Sequence, residues 1–272
     1  MKSRCKVGAF PREYATVDAH NHVWPDRDGR LDMNLVNCHL KMMPLLGIEK
    51  MVISAPVMTD RVTPAEFRKM NAMVREAMDI SDRFIGFVFV DPNYPDEAAA
   101  EIEHCVKDWG FSGIKLYHQQ TVDDPRQEPI MSTAARLGIP VLMHAGKVTD
   151  PGTIREQPRI SNAQHFLNAL ECFPDTIFMQ GHIGGGGDWF WNLRVLRGIK
   201  SDRYFIDIGG SVCDSMIVRK TIEAVGIDRV LFATDMSIEE GVGKLYAAKL
   251  SPEEMKKVCS GNWNRIAAMK RA

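Results

Sequence analysis

The sequence predicts an α/β protein, a single-domain (β/α)8 barrel of the TIM type, on three observations. Eight short apolar segments rich in Val, Ile and Phe recur along 272 residues, and segments with helical spacing separate them. The eight units average about 34 residues, which matches the roughly 250 residues such a barrel uses. Regular alternation of this kind implies parallel strands with helices packed outside. An open doubly wound sheet is expected to carry a Gly-rich phosphate turn after an early strand. Here "GHIGGGG" follows the sixth strand and lacks the GxGxxG context. One barrel domain is therefore expected over 1–272.

In chain order, the first strand is expected at 16–22 ("TVDAHNH"), followed by the helical pattern "MNLVNCHLKMMPLLG". The second strand, 50–56, leads into "TPAEFRKMNAMVREAMDIS", whose Thr-Pro opening is a cap and first-turn signature. The third, 83–91, precedes "PDEAAAEIEHCVKDWG", which starts at an Asp and ends at a Gly as a capped helix should. Strands at 113–117, 140–146, 176–184 and 203–210 are each followed by a helix, respectively "DDPRQEPIMSTAARLG", "RISNAQHFLNALECFP", "DWFWNLRVLRG" and "DSMIVRKTIEAVG". The eighth strand is expected at 229–236, and the tail "SPEEMKKVCSGNWNRIAAMKR" supplies one or two closing helices. "TDPGTIREQPRI" and "MSIEEGVGKL" read as loops.

Composition narrows the partners. Net charge is −1 and Lys and Arg form no long runs, which argues against nucleic acid or a membrane surface. No apolar stretch approaches the roughly 18 residues of a membrane span. The opening "MKSRCKVGAF" is too short and polar for a signal-peptide core. Six cysteines without a CxxC pair suggest reduced thiols, and hence a cytoplasmic protein acting on a small molecule.

In a strand, residues i and i+2 share a face about 6.6 Å apart. In "VDAHNHVW", His20 and His22 would thus present two imidazoles side by side, with Ala19 and Asn21 facing the other way. Barrel active sites gather at the C-terminal ends of the strands. Lys115 ends the fourth strand, His144 lies in "VLMHAG" of the fifth, His182 follows in "QGHIGG" of the sixth, and Asp235 ends "LFATDM" of the eighth. A buried strand should be nearly all apolar, so each of these residues breaks its local pattern. Their convergence on one mouth predicts a metal site.

This order of residues resembles the amidohydrolase superfamily. The segments "VDAHNHVW", "GFSGIKLY", "DDPRQEPIMSTAARLGIPVLMHAG", "GHIGG", "LFATDM" and "KKVCSGNWNRIAAM" are similar to its amidohydrolase-2 branch. That branch includes decarboxylases of the aminocarboxymuconate-semialdehyde type and sugar lactonases. The resemblance implies metal ligation by His20, His22, His144 and Asp235, and chemistry at His182 and Asp235. It implies one divalent ion, Zn2+ first and Mn2+ or Fe2+ as alternatives. In two-metal relatives a strand-four lysine is carboxylated and bridges the ions; for Lys115 a contact to a substrate carboxylate or a salt bridge is favoured. Branch members are often dimers, and the apolar bulk of "DWFWNLRVL" adds to the expectation of a homodimer. The chain departs from the branch where "GIKL" is followed by "YHQQ", with His118 unassigned, and after Asp235.

A bound metal would lower the pKa of water toward about 7. Asp235 would accept its proton and His182 would orient water or polarise a carbonyl. The expected activity is hydrolysis of a C–O or C–N bond in a small carboxylated or cyclic substrate. The alternative is non-oxidative decarboxylation of an aromatic or unsaturated acid, which needs a cation for the carboxylate and apolar walls for the ring. Lys115, Trp24, Arg155 and His118 are candidate substrate contacts, with Arg155 and Arg159 as carboxylate clamps. Asp207 is expected as a partner of a ligand, and His39, His104 and His165 as surface or interface residues.

Overall fold

The computed structural model describes residues 12–185, 187–210, 212 and 214–269. All eight expected strands form: β1 (Thr16–His22), β2 (Ile48–Ser54), β3 (Phe84–Phe89), β4 (Gly113–Leu116), β5 (Pro140–His144), β6 (Ile177–Gly181), β7 (Tyr204–Asp207) and β8 (Val230–Leu231). Each pairs in parallel with the next, in the order β1 to β8. The sheet curls until its edges meet, where Ala19 N donates to Phe232 O at 2.9 Å and Asp235 N to His20 O at 2.9 Å. The protein is a single-domain (β/α)8 barrel.

The helices α1 (Met33–Leu45), α2 (Pro64–Ile80), α3 (Pro95–Lys107), α4 (Glu128–Leu137), α5 (Pro151–Glu156), α6 (Ala163–Cys172), α7 (Trp189–Leu196), α8 (Ile217–Val225) and α9 (Ile238–Ala247) form the outer ring. α2 opens with a capping box between Thr63 and Glu66. α3 departs from expectation at its start: Tyr94 holds the cap position without a side-chain bond, and Asp96 lies in the first turn. Both segments read as loops contain helices. Asp150 caps α5 by accepting from Thr153 N. In α9, two glycines broke the apolar pattern; a Cβ at Gly241 would lie 2.8 Å from Ala233 O, so close packing requires that glycine.

The eighth strand is shorter than its apolar run. Phe232 N donates to Val258 O at 3.0 Å instead of continuing along β7. Val258 lies in a π turn (Lys257–Gly261) between α10 (Pro252–Lys256) and α11 (Asn262–Met269). α11 closes the lower end of the barrel. Ile266 joins an interior apolar layer with Val52, Phe87, Leu142, Met179, Phe205 and Leu231. Ala19 belongs to this layer too, contrary to the alternation expected for β1. The β1–β2 register shifts between Asp18 and Asn21, and such a bulge re-aims side chains. His20 and His22 thereby face the site above the apolar floor.

Candidate metal centre and active site

His20 is fully buried at the centre of the site. Its Nδ1 lies 2.9 Å from Asp207 Oδ2, which fixes a proton on that nitrogen and leaves Nε2 with its lone pair inward. His22 is held in the same way, its Nδ1 at 3.1 Å from Ser54 Oγ and 3.3 Å from Ser54 O. Its Nε2 is 3.0 Å from Asp235 Oδ1, and His20 Nε2 is 3.5 Å from the same oxygen. Asp207 also accepts from the backbone N–H of His182 at 3.0 Å and of Gly209 at 2.9 Å. It thus orients one imidazole and anchors the turn that carries another, as expected of a partner rather than a ligand.

Two further residues reach the site through backbone that ordinary side chains rarely adopt. His182 has φ 71°, Asp235 has φ 43° and its neighbour Met236 has φ 69°. Left-handed geometry at non-glycine residues costs roughly 1–3 kcal/mol each. It turns His182 and Asp235 into the mouth just past the ends of β6 and β8. His182 Nε2 then lies 3.5 Å from Asp235 Oδ2 and 3.1 Å from His144 Nδ1. His144 Nε2 meets Gln157 Oε1 at 3.0 Å, and the ring stacks on Tyr117, with centroids 4.2 Å apart.

The electrostatics follow from burial. Desolvation lowers His20 to about 4, helped by the nearby Lys115 ammonium and opposed by Asp235 and Asp207. Burial also lowers His22 and His144. Burial raises Asp235, and positive charge on the imidazoles of His20, His182 and His22 would outweigh it and hold the carboxyl below its usual range. Lys115 is completely buried, lowered to about 8 by desolvation, and donates from Nζ to His20 Nε2 at 2.7 Å.

Neutral imidazoles with inward lone pairs beside an anionic carboxylate are a donor set for a divalent transition metal. Within the described residues, two triads have donor atoms within 4.8 Å of one another: His20, His22, Asp235 and His20, His182, Asp207. His144 joins neither and stands beside His182. A cavity of about 240 Å3 opens onto this cluster, lined by His144, His182 and Asp235 together with Thr153, Gln157 and Gly210.

The candidate substrate contacts separate in space. Lys115 sits in the cluster, and Trp24 packs against His22 with ring centroids 5.1 Å apart. Arg155 is exposed; Thr153 and Gln157 share the helical face that lines the cavity, and position 155 points away from it. His118 is buried behind Tyr117, and its Nδ1 is 3.8 Å from Asp60 Oδ1. Arg159 is committed to Asp60 at 2.9 Å and to the Gln119 carbonyl at 2.7 Å, so it ties loops together. His39, expected at the surface or an interface, is buried, and its Nε2 donates to the His22 carbonyl at 3.0 Å. His104 does lie at the surface beside Asp108, and His165 is half-buried in a cap with Asn162. Sequence reasoning missed Gln157, Ser54 and Tyr117. Tyr117 alone left a signal, as the aromatic residue directly after "GIKL".

A (β/α)8 barrel with imidazoles and a carboxylate converging at the C-terminal ends of its strands defines a metal-site enzyme barrel. The family profile described as Amidohydrolase (amidohydrolase-2) matches residues 17–265, and the chain belongs to that family. It is 23% identical over 266 residues to a gamma-resorcylate decarboxylase of Rhizobium sp. strain MTP-10005, covering 79% of this chain and 80% of the relative. A gamma-resorcylate decarboxylase of Polaromonas sp. strain JS666 is 22% identical and aligns over 96% of this chain and 97% of its own length. Among solved structures, a dihydroxybenzoic acid decarboxylase of Polaromonas sp. JS666, with bound manganese and 2-nitroresorcinol, superposes with a TM-score of 0.71 at 19% identity, covering 94% of this chain and 98% of that one. A putative amidohydrolase from Staphylococcus aureus gives 0.73 at 18% identity, covering 93% and 99%.

These findings correct the expectation of hydrolysis. The relatives that align along most of the chain are named decarboxylases, and the site has the features set out for that alternative. A buried cation, Lys115, stands at its centre, and the rings of Tyr117 and Trp24 pack against its histidines.

Proposed function

We propose that the protein is a metal-dependent, non-oxidative decarboxylase of an aromatic carboxylic acid. The observation that carries this reading is the His20–His22–Asp235 triad with Lys115 against it, in a chain similar along its length to gamma-resorcylate decarboxylases. His20, His22 and Asp235 would hold the ion, with His144 as fourth ligand. Zn2+ and Mn2+ both suit this nitrogen–oxygen set. A divalent ion there supplies a Lewis acid for substrate oxygens.

The rest of the work falls to the chain. In decarboxylation the bond between ring and carboxylate carbon breaks, its electron pair stays on the ring carbon, and a proton replaces the departing CO2. Lys115 carries the charge that attracts the carboxylate. The walls of Tyr117 and Trp24 exclude water from the ring. His182, whose Nε2 lines the cavity mouth, holds the proton destined for the ring carbon. Asp235, 3.5 Å away, stays anionic and stabilises positive charge on that imidazole.

The test is incubation of metal-supplemented protein with 2,6-dihydroxybenzoate and other hydroxybenzoates, with CO2 and phenol quantified. Turnover that is lost on chelation and restored by Mn2+ or Zn2+ is expected. A folded, metal-loaded protein that releases no CO2 from any of them refutes the reading. His182→Asn should lower kcat by about 100-fold or more, the scale of lost acid–base catalysis, with metal content unchanged.

A homodimer is part of this proposal. Much of the "DWFWNLRVL" bulk is accounted for within the chain, since Leu193 and Leu196 are buried and Trp191 lies under Lys147 at 4.7 Å. Phe190, 48% exposed, is the apolar group α7 offers a second copy. Light scattering should give twice the 30.6 kDa chain mass; the monomer mass at micromolar concentration refutes it.

A further inference from the structure

The contacts of two histidines and one glutamine at the cavity mouth set where their protons sit. His144 has partners on both ring nitrogens, Gln157 Oε1 at Nε2 (3.0 Å) and His182 Nε2 at Nδ1 (3.1 Å). A neutral imidazole has one N–H and one lone pair, so two arrangements are open. In the first, His144 donates from Nε2 to Gln157 and accepts at Nδ1 from His182 Nε2–H. His182 Nδ1 is then a bare lone pair. In the second, every donor is reversed and His182 must carry its hydrogen on Nδ1.

His182 Nδ1 decides between them. It is buried and has no hydrogen-bond partner among the described residues. It faces the backbone of Gly210, where even a methyl group would approach within 2.4 Å. An N–H buried there would lose its hydrogen bond to water without replacement. Lone pairs of buried acceptors are more often left under-satisfied than donors are. The first arrangement is therefore favoured.

We propose that Gln157 is a positioning residue that fixes the Nε2–H tautomer of His144. His144 Nδ1 thereby carries a lone pair and no hydrogen, and the hydrogen of His182 sits on Nε2, 3.1 Å from that lone pair and 3.5 Å from Asp235 Oδ2. Gln157 follows α5, whose Thr153 lines the same cavity, so the short helix both shapes the pocket and sets the two tautomers. The inference deepens the functional reading, because a lone pair at Nδ1 is what a ligand at His144 needs.

The test uses the full-length protein with 15N-labelled histidine, stripped of metal, the two signals being assigned by their loss in His144→Asn and His182→Asn. Long-range 1H–15N correlations should give the Nε2–H tautomer for both residues. In Gln157→Leu the His144 signal should shift toward the Nδ1–H form. The dissociation constant for Zn2+ or Mn2+, measured by chelator competition, should rise about tenfold or more, the usual effect of losing a partner of a metal-binding histidine. Gln157→Glu keeps an acceptor and should retain the wild-type tautomer, which separates this role from a packing defect. Nδ1–H on His144 in the wild type overturns the proposal. So does a folded Gln157→Leu with both tautomer and metal affinity unchanged. The tautomer measurement needs neither substrate nor metal, so a protein with the expected tautomers but no decarboxylation refutes the functional reading alone.

Discussion

Asp18 is fully buried, and both sides of the site hang on it. Its carboxylate accepts from Thr234 Oγ1 at 2.5 Å, Thr234 N at 3.1 Å, Asn21 Nδ2 at 3.1 Å and His20 N at 3.2 Å. One buried group therefore fixes the backbone of His20 and of the residue before Asp235. An amide at this position would point N–H groups at donors, so Asp18→Asn should lose about 2 kcal/mol of unfolding free energy, read by urea titration. Burial, its largest influence, pushes Asp18 up to about 7, with its hydrogen bonds opposing; in an unfolded chain an aspartate titrates near 3.9. Between those values the native state binds a proton that the unfolded state has released. The stability this group adds is thus present in acid and lost as pH rises through about 7. The advantage of wild type over Asp18→Asn should shrink between about pH 5 and pH 8. A gap that widens would mean that the hydrogen bonds, not burial, govern the carboxylate.

At the scale of elements, the glycine-rich turn after β6 is a packing device. A Cβ at Gly187 would lie 1.8 Å from Lys147 O, and one at Gly185 2.5 Å from Ala145 O. The loops after β5 and β6 consequently run backbone against backbone, with Asp188 N donating to Lys147 O at 2.8 Å. Gly187→Ala should force them apart, at about 1–3 kcal/mol and with weaker metal binding, because one loop starts at His144 and the other carries His182. Gly243 in α9 is the contrast, since a Cβ there meets nothing within 4 Å. Gly243→Ala should stabilise by about 0.4–1 kcal/mol, read as a raised thermal midpoint. The same two elements mark what is legible in sequence. Strand cores such as "KMVISAP" announce themselves by composition, and His20, His22, Lys115 and Asp207 stand out as polar residues in apolar runs. α9 is hidden because Gly241 answers to a neighbouring backbone, not to helix propensity. Gln157 and Ser54 are hidden because their roles depend on which histidine nitrogen a folded loop brings near, and His39 because the helix around it gives no sign of the carbonyl it reaches.

The whole molecule closes where its ends meet. β8 is only two residues long, and just past it Thr234 meets Asp18 of β1 across 216 residues of sequence. Bringing such distant segments together carries the largest loop-closure entropy in the fold, so this seam should be the last part of the barrel to form and the first to open. The proposed ligands straddle it: His20 and His22 on β1, Asp235 just past β8. An ion held by all three would act as a removable staple between the chain's beginning and its end, adding RT ln(1 + [metal]/Kd) to stability. Amide hydrogen exchange should report this directly. With chelator, the Ala19 and Asp235 amides should exchange faster than those of β5 and β6. With saturating metal, the difference should close and the thermal midpoint should rise with metal concentration. Equal protection of those amides with and without metal would place the ion elsewhere. The site that performs the chemistry would then also decide how long the cylinder stays shut, and metal supply in the cell would set the protein's lifetime as well as its turnover.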